Sequence, residues 1–142
     1  MLTPLTEDAV ERIGCGLVDR TLPKPEWTHV AHFAAAFWLL RHPTHDAFAE
    51  MPGLIRAYNE STGVVNSDTG GYHETITRAS LRAARAWLAA RPALSTAAAL
   101  NEFLAGSFGR SDWPLAYWTR ERLFSVPARR GWVEPDLQPL PF

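Results

Sequence analysis

Three histidines lie where their side chains could share one site. His29 and His32 are three residues apart at the start of an apolar stretch, and His73 follows directly after a glycine-rich loop. On a helix, residues three apart lie on the same face and can reach one ion. Three imidazoles with an open fourth position are the ligand set of a catalytic zinc or a similar divalent ion. The pattern therefore predicts a metal site made of His29, His32 and His73, for Zn, Mn, Fe, Ni or Cu.

The same histidines also have a structural interpretation. The positive end of a helix disfavours imidazolium, so the first two rings are expected to be neutral. A buried neutral imidazole is satisfied by a hydrogen bond to a backbone carbonyl or to a phenol, such as that of Tyr58 or Tyr72. The spacing of His29 and His32 also lacks the four-residue separation and the glutamate of the zincin motif. The sequence leaves both alternatives open.

Glu74 is the candidate for general acid and base catalysis, since it is adjacent to His73. Arg78 follows four residues later, a spacing at which opposite charges pair on the surface of a helix. Successive helix residues diverge by about 100°, so His73 and Glu74 are expected to point to different faces. The sequence favours an exposed ion pair with Arg78 and leaves Glu74 an indirect or gating role at the site.

Polar residues on both sides of the glycine-rich loop are the candidates for substrate binding. An arginine can hold a carboxylate through two parallel hydrogen bonds, and loops on a rigid scaffold often carry function. Asparagine is also an ordinary residue of turns and helix ends, which would explain Asn66 without a ligand. The residues assigned to substrate binding are Arg56, Tyr58, Asn59, Asn66 and Tyr72.

Helical periodicity predicts an all-α fold, with residues 1–142 as a single domain of five or six helices. Residues 28–42 form its central helix, because this stretch is apolar on nearly every side and too short to span a bilayer. Thr28 would cap it and Pro43 would end it. The other helices are expected to begin near Thr6, Thr44, Tyr72, Ser95 and Asp112, with a kink or a break at Pro52. Residues 131–142 would form an extended, proline-rich tail against the body.

Composition narrows the possible partners and the compartment. Apolar residues make up 46% of the 142 residues and the net charge is −1, so a folded core is expected and nucleic acid is not. Cys15 is the single cysteine, and no signal peptide or membrane span is visible, which favours the cytoplasm. No nucleotide or flavin motif is present. A small molecule is the expected ligand, and a homodimer is compatible with the composition.

Three segments resemble those of a family of small bacterial proteins of similar length. They are residues 27–32 (WTHVAH), residues 55–60 (IRAYNE) and residues 71–78 (GYHETITR). The closing residues 133–137 (VEPDL) extend the likeness. The resemblance implies a small soluble bacterial protein; no activity is attached to that family, so it implies no mechanism.

Two functions follow as hypotheses. The first is a metal-dependent enzyme of hydrolase or lyase type, in which the ion activates a water molecule or polarises a small substrate. The second is a helical module without enzymatic activity that binds a small ligand or a partner chain, its histidines being structural.

Overall fold

The computed structural model describes residues 3–142, and this part of the chain contains seven α-helices and no strand. The helices are α1 (Glu7–Val18), α2 (His29–Arg41), α3 (Ala47–Ser61), α4 (Glu74–Ala89), α5 (Thr96–Leu104), α6 (Arg120–Leu123) and α7 (Val126–Arg130). Three 3-10 turns add to them, at Lys24–Glu26, Ser107–Gly109 and Trp113–Ala116. The predicted all-α fold is confirmed. Within the same residues, no helix has the length and apolar character needed to cross a membrane.

Helix α2 occupies the centre of the molecule. The Thr28 hydroxyl caps it by accepting the Ala31 N–H at 3.2 Å. One face of α2 contributes its phenylalanines to a core shared with α1, α4 and α5, while Ala35, Ala36 and Leu39 lie in a second core shared with α3. A helix that is apolar all round is suited to this position between two cores. The prediction of a buried central helix is confirmed.

Helix α1 approaches α2 closely at a glycine. A Cβ atom added to Gly14 would overlap the indole of Trp38. Two residues further, a Cβ on Gly16 would lie 2.8 Å from the Cβ of Leu22. Each glycine destabilises a helix by about 1 kcal/mol relative to alanine. At Gly14 and Gly16 the absence of a side chain allows the close packing.

Helix α3 differs from its prediction at two places. It is capped by Asp46, whose Oδ1 accepts the Ala49 N–H at 3.1 Å, whereas Thr44 donates its own N–H to His42 Nδ1 at 3.2 Å. The helix also continues through Pro52, so the expected alternative of two short helices is wrong.

The predicted sixth helix, from Asp112 onward, is not continuous. The chain instead forms the 3-10 turn at residues 113–116 and restarts as α6. The restart has a local cause, because the Thr119 hydroxyl accepts the Arg122 N–H at 3.3 Å as a helix cap. Between the two segments, the side chain of Trp118 is completely buried.

Residues 131–142 contain no helix and run along the surface of this C-terminal segment. The carbonyl of Val133 accepts the Trp118 indole N–H at 3.1 Å, and the N–H of Leu137 donates to the Tyr117 carbonyl at 2.9 Å. Asp136 binds both the N–H and the hydroxyl of Thr119, at 2.8 and 2.7 Å. These bonds hold the tail against the body.

Candidate ligand site

A cavity of about 290 Å³ lies between α2, α3 and α4, beside the turn that begins at Trp113. Its volume is at the small end of the range found for small-molecule sites. Seven of its side chains are apolar, and the polar ones are two imidazoles and three hydroxyls, so no charged residue lines it. The lining residues are His29, His32, Phe33, Ala36, Met51, Ile55, Ile76, Thr77, Ser80, Leu81, Ser111 and Trp113.

His32 presents a defined tautomer to this cavity. Its Nδ1 lies 2.6 Å from the Thr28 carbonyl oxygen. A carbonyl only accepts, so Nδ1 carries the hydrogen and Nε2 carries the lone pair. Burial lowers the pKa of the His32 imidazole, which keeps the ring neutral near pH 7. The result is a neutral hydrogen-bond acceptor at the edge of an apolar space.

His29, one turn earlier, is also fixed by a backbone carbonyl. Its Nε2 lies 2.8 Å from the Phe108 oxygen, which assigns the hydrogen to Nε2. The ring meets Phe33 edge to face, with centroids 5.3 Å apart and 88° between the planes. The sequence placed His29 and His32 on one inward face, and both do line the same cavity.

His73 does not join them, because it lies one residue before α4 and acts as the cap of that helix. Its Nδ1 accepts the Ile76 N–H at 3.1 Å, and its Nε2 donates to the Leu123 carbonyl at 2.7 Å. Burial lowers its pKa, which keeps the ring neutral. Both nitrogens are therefore engaged in holding α4 against the C-terminal segment.

The structure does not bring the three predicted ligands together, since His29 and His32 line one cavity and His73 does not. Among residues 3–142, no group of three or more His, Cys, Asp or Glu side chains is placed to hold a metal ion. All three histidines instead bond to backbone carbonyls, as the structural alternative expected. His73 lies elsewhere than the sequence predicted because α4 begins at Glu74, whereas a start near Tyr72 would have placed that ring on the inward face of the helix.

Glu74 pairs with Arg78 as predicted, at 3.6 Å. It is less exposed than expected, since its other oxygen accepts the Tyr72 hydroxyl at 2.5 Å and only 18% of its side chain is accessible. Burial and the bond to Glu74 raise the pKa of the Tyr72 phenol, so it remains the donor. With Arg56, these residues line a second cavity of about 190 Å³. Arg56, Tyr72 and Glu74, all predicted as functional residues, therefore line one cavity, and none of the three histidines lines it.

The remaining predicted substrate-binding residues hold the glycine-rich loop and the core. Asn66 Oδ1 accepts from Asn59 Nδ2 and from the Tyr72 N–H, both at 3.0 Å. The Tyr58 hydroxyl donates to the Leu22 carbonyl at 2.6 Å. Asn59, Asn66 and Tyr58 line neither of the two cavities. In this structure their side chains shape the scaffold around the cavities.

Several lining residues were absent from the predicted site. Ile76 and Ser80 lie on the inward face of α4, and the helical wheel of the sequence gave enough information to include them. Ser111 and Trp113 come from an irregular segment far along the chain, and no local pattern relates them to His32.

No protein-family profile matches this chain, and no curated protein or solved structure shows significant similarity to it. Its function has to follow from the chemistry of its own cavities. The apolar cavity is distinctive because it combines two imidazoles held by backbone carbonyls with a lining that contains no Lys, Arg, Asp or Glu.

Proposed function

We propose that this protein binds a small, neutral and mostly apolar molecule in the cavity beside His32. The observation that carries the proposal is the state of that imidazole. Nδ1 is committed to Thr28, while no group of residues 3–142 makes a hydrogen bond to Nε2. A ligand with one hydroxyl or N–H group would donate to Nε2 and place the rest of its surface against the apolar lining.

The lining supports a neutral ligand. Burying apolar surface contributes about 25 cal/mol per Å², so the hydrocarbon part of a ligand gains from the seven apolar side chains. A charged group would lose its hydration without an opposite charge to replace it. The hydroxyls of Ser80, Ser111 and Thr77 both donate and accept, and they add adaptable contacts near the imidazoles.

Three probes of one size separate these properties. p-Cresol carries a single donor, p-xylene replaces the hydroxyl with a methyl group, and p-toluate carries a negative charge. NMR titration followed at the ring signals of His32, which lines this cavity and not the second one, should give the order p-cresol, p-xylene, p-toluate from tightest to weakest. p-Xylene is the more hydrophobic of the neutral pair, so tighter binding of p-cresol would reveal an acceptor in the cavity. Tightest binding by p-toluate at His32, or no shift of the His32 signals with any of the three probes, would refute the proposal.

A second function is supported by the same side chain. A histidine that is unprotonated near pH 7 can act as a general base, and its bond to Thr28 orients it as catalytic histidines are oriented. The hydrolase or lyase chemistry predicted from the sequence would then use His32 to take a proton from a bound substrate. Recovery of a bound ligand unchanged after long incubation favours the binding protein, whereas its conversion, abolished by His32→Gln, favours the enzyme.

A further inference from the structure

The second cavity lies on the other side of the contact between α3 and α4. It is lined by Phe48, Pro52 and Arg56 of α3, by the first two turns of α4, and by Tyr72 and Arg130. Thr77 and Leu81 line both cavities, so they form the partition between them. The two spaces are adjacent but differ in chemistry, because the second one contains charged groups.

Cations outnumber carboxylates in this second cavity. Arg56, Arg78 and Arg130 line it together with one acidic residue, Glu74. The chain as a whole has a net charge of −1, so this excess of positive charge is local. A concave site lined by one sign of charge attracts ligands of the opposite sign.

The three arginines differ in the groups that their guanidinium groups already contact. Arg130 makes two bonds of 2.7 Å to Asp68, and Arg78 faces Glu74. Arg56 lies over the Tyr72 ring, with its guanidinium carbon 4.3 Å from the ring centroid. Within residues 3–142 no carboxylate forms an ion pair with Arg56. The aromatic contact therefore positions a guanidinium whose N–H groups lack an anionic partner.

We propose that this second cavity binds a small organic carboxylate. The planar carboxylate would accept two parallel hydrogen bonds from the guanidinium of Arg56, which is the geometry that arginine favours. The apolar body of the ligand would lie against Phe48 and Pro52. A monoanion suits the site better than a phosphate dianion, because the Glu74 carboxylate in the lining repels added negative charge.

The test observes Arg56 directly. Protein labelled with 15N is titrated with benzoate, acetate and inorganic phosphate at constant ionic strength, and the Nε–Hε signals of the arginines are recorded. The Arg56 signal should shift and saturate, with benzoate binding more tightly than acetate and acetate more tightly than phosphate. Arg56→Gln should weaken benzoate binding, followed at the Arg78 signal, by about tenfold or more. Arg56→Lys should give an intermediate loss, since it keeps the charge without the planar fork.

The matched control is Arg110→Gln. Arg110 is another exposed arginine, paired with Asp112 at 3.2 Å and outside this cavity, so its variant should bind benzoate as the native protein does. His32→Leu should also leave the Arg56 shift unchanged, which separates this site from the apolar cavity. Shifts that do not saturate, an equal loss in Arg56→Gln and Arg110→Gln, or phosphate binding tighter than benzoate would each overturn the proposal.

Discussion

Trp27 lies against the face of His32, with ring centroids 3.8 Å apart and 29° between the ring planes. The same imidazole is held at Nδ1 by the Thr28 carbonyl, so one ring face and one nitrogen are fixed by two consecutive residues. These contacts orient the ring before any ligand arrives. Preorganisation of this kind lowers the entropic cost of binding.

The first prediction concerns the protonation of His32. Protonation would place a cation against the Trp27 indole, which changes the environment of that fluorophore. Since burial lowers the pKa of His32, the transition in tryptophan emission should have its midpoint below the ordinary value of 6.5. Subtracting the titration of His32→Leu removes the contributions of the other tryptophans. A midpoint at or above 6.5 would show that the ring is not desolvated as described.

The second prediction concerns the two bonds of His73. Replacing it with alanine removes the cap of α4 and leaves the Leu123 carbonyl without its partner. We expect a loss of about 1 to 3 kcal/mol in the free energy of unfolding, measured with urea. His73→Asn should recover roughly half of the loss, because asparagine caps helices well but does not replace the longer reach to Leu123. No change in either variant would contradict the structural role.

The third prediction is the acid dependence of stability. His32 and His73 both have lowered pKa values in the folded protein, so below pH 6.5 the unfolded chain binds more protons than the native one. Their contribution is fully present above the unfolded value of 6.5 and is lost as the pH falls through the folded values. In the double variant His32→Leu, His73→Asn, the free energy of unfolding should fall less steeply between pH 6.5 and pH 5 than in the native protein. An unchanged slope would show that other groups cause the loss of stability in acid.

The fourth prediction compares two helical glycines. Gly14→Ala places a methyl group into the Trp38 indole, and overpacking of this kind costs about 1 to 3 kcal/mol. Gly53→Ala is the matched control, since no atom lies within 4 Å of its added Cβ. That variant should gain about 0.5 to 1 kcal/mol from helix propensity. Thermal unfolding of both proteins measures the difference, and equal effects would argue against close packing at Gly14.

The central helix and its histidines could be predicted from the sequence because their signals are local. The ends of α2 can be predicted to within about one turn, because the stretch is apolar on nearly every side, Thr28 caps it and Pro43 ends it. The helical period then places His29 and His32 on one face. The ion pair of Glu74 with Arg78 follows from the same period.

The rest of the site depends on information that neighbouring residues do not carry. Histidine is not a preferred helix cap, so nothing in the sequence indicated that α4 begins one residue after His73. The carbonyl groups of Phe108 and Leu123, which bind His29 and His73, lie 79 and 50 residues away along the chain. The positions of these two carbonyl groups result from tertiary packing, so the periodicity of the sequence does not predict them.

The most direct test of the proposed function is the preference of the cavity for p-cresol over p-xylene, measured by titration in the native protein and in His32→Leu. An unsatisfied buried donor costs about 1 to 3 kcal/mol, so removing the acceptor should lower the preference by about tenfold and make p-xylene the tighter ligand. His45→Gln changes a histidine outside the cavity and should keep the native preference. If His32→Leu retains the preference for p-cresol, then His32 does not accept the hydrogen bond and the proposed binding mode is wrong.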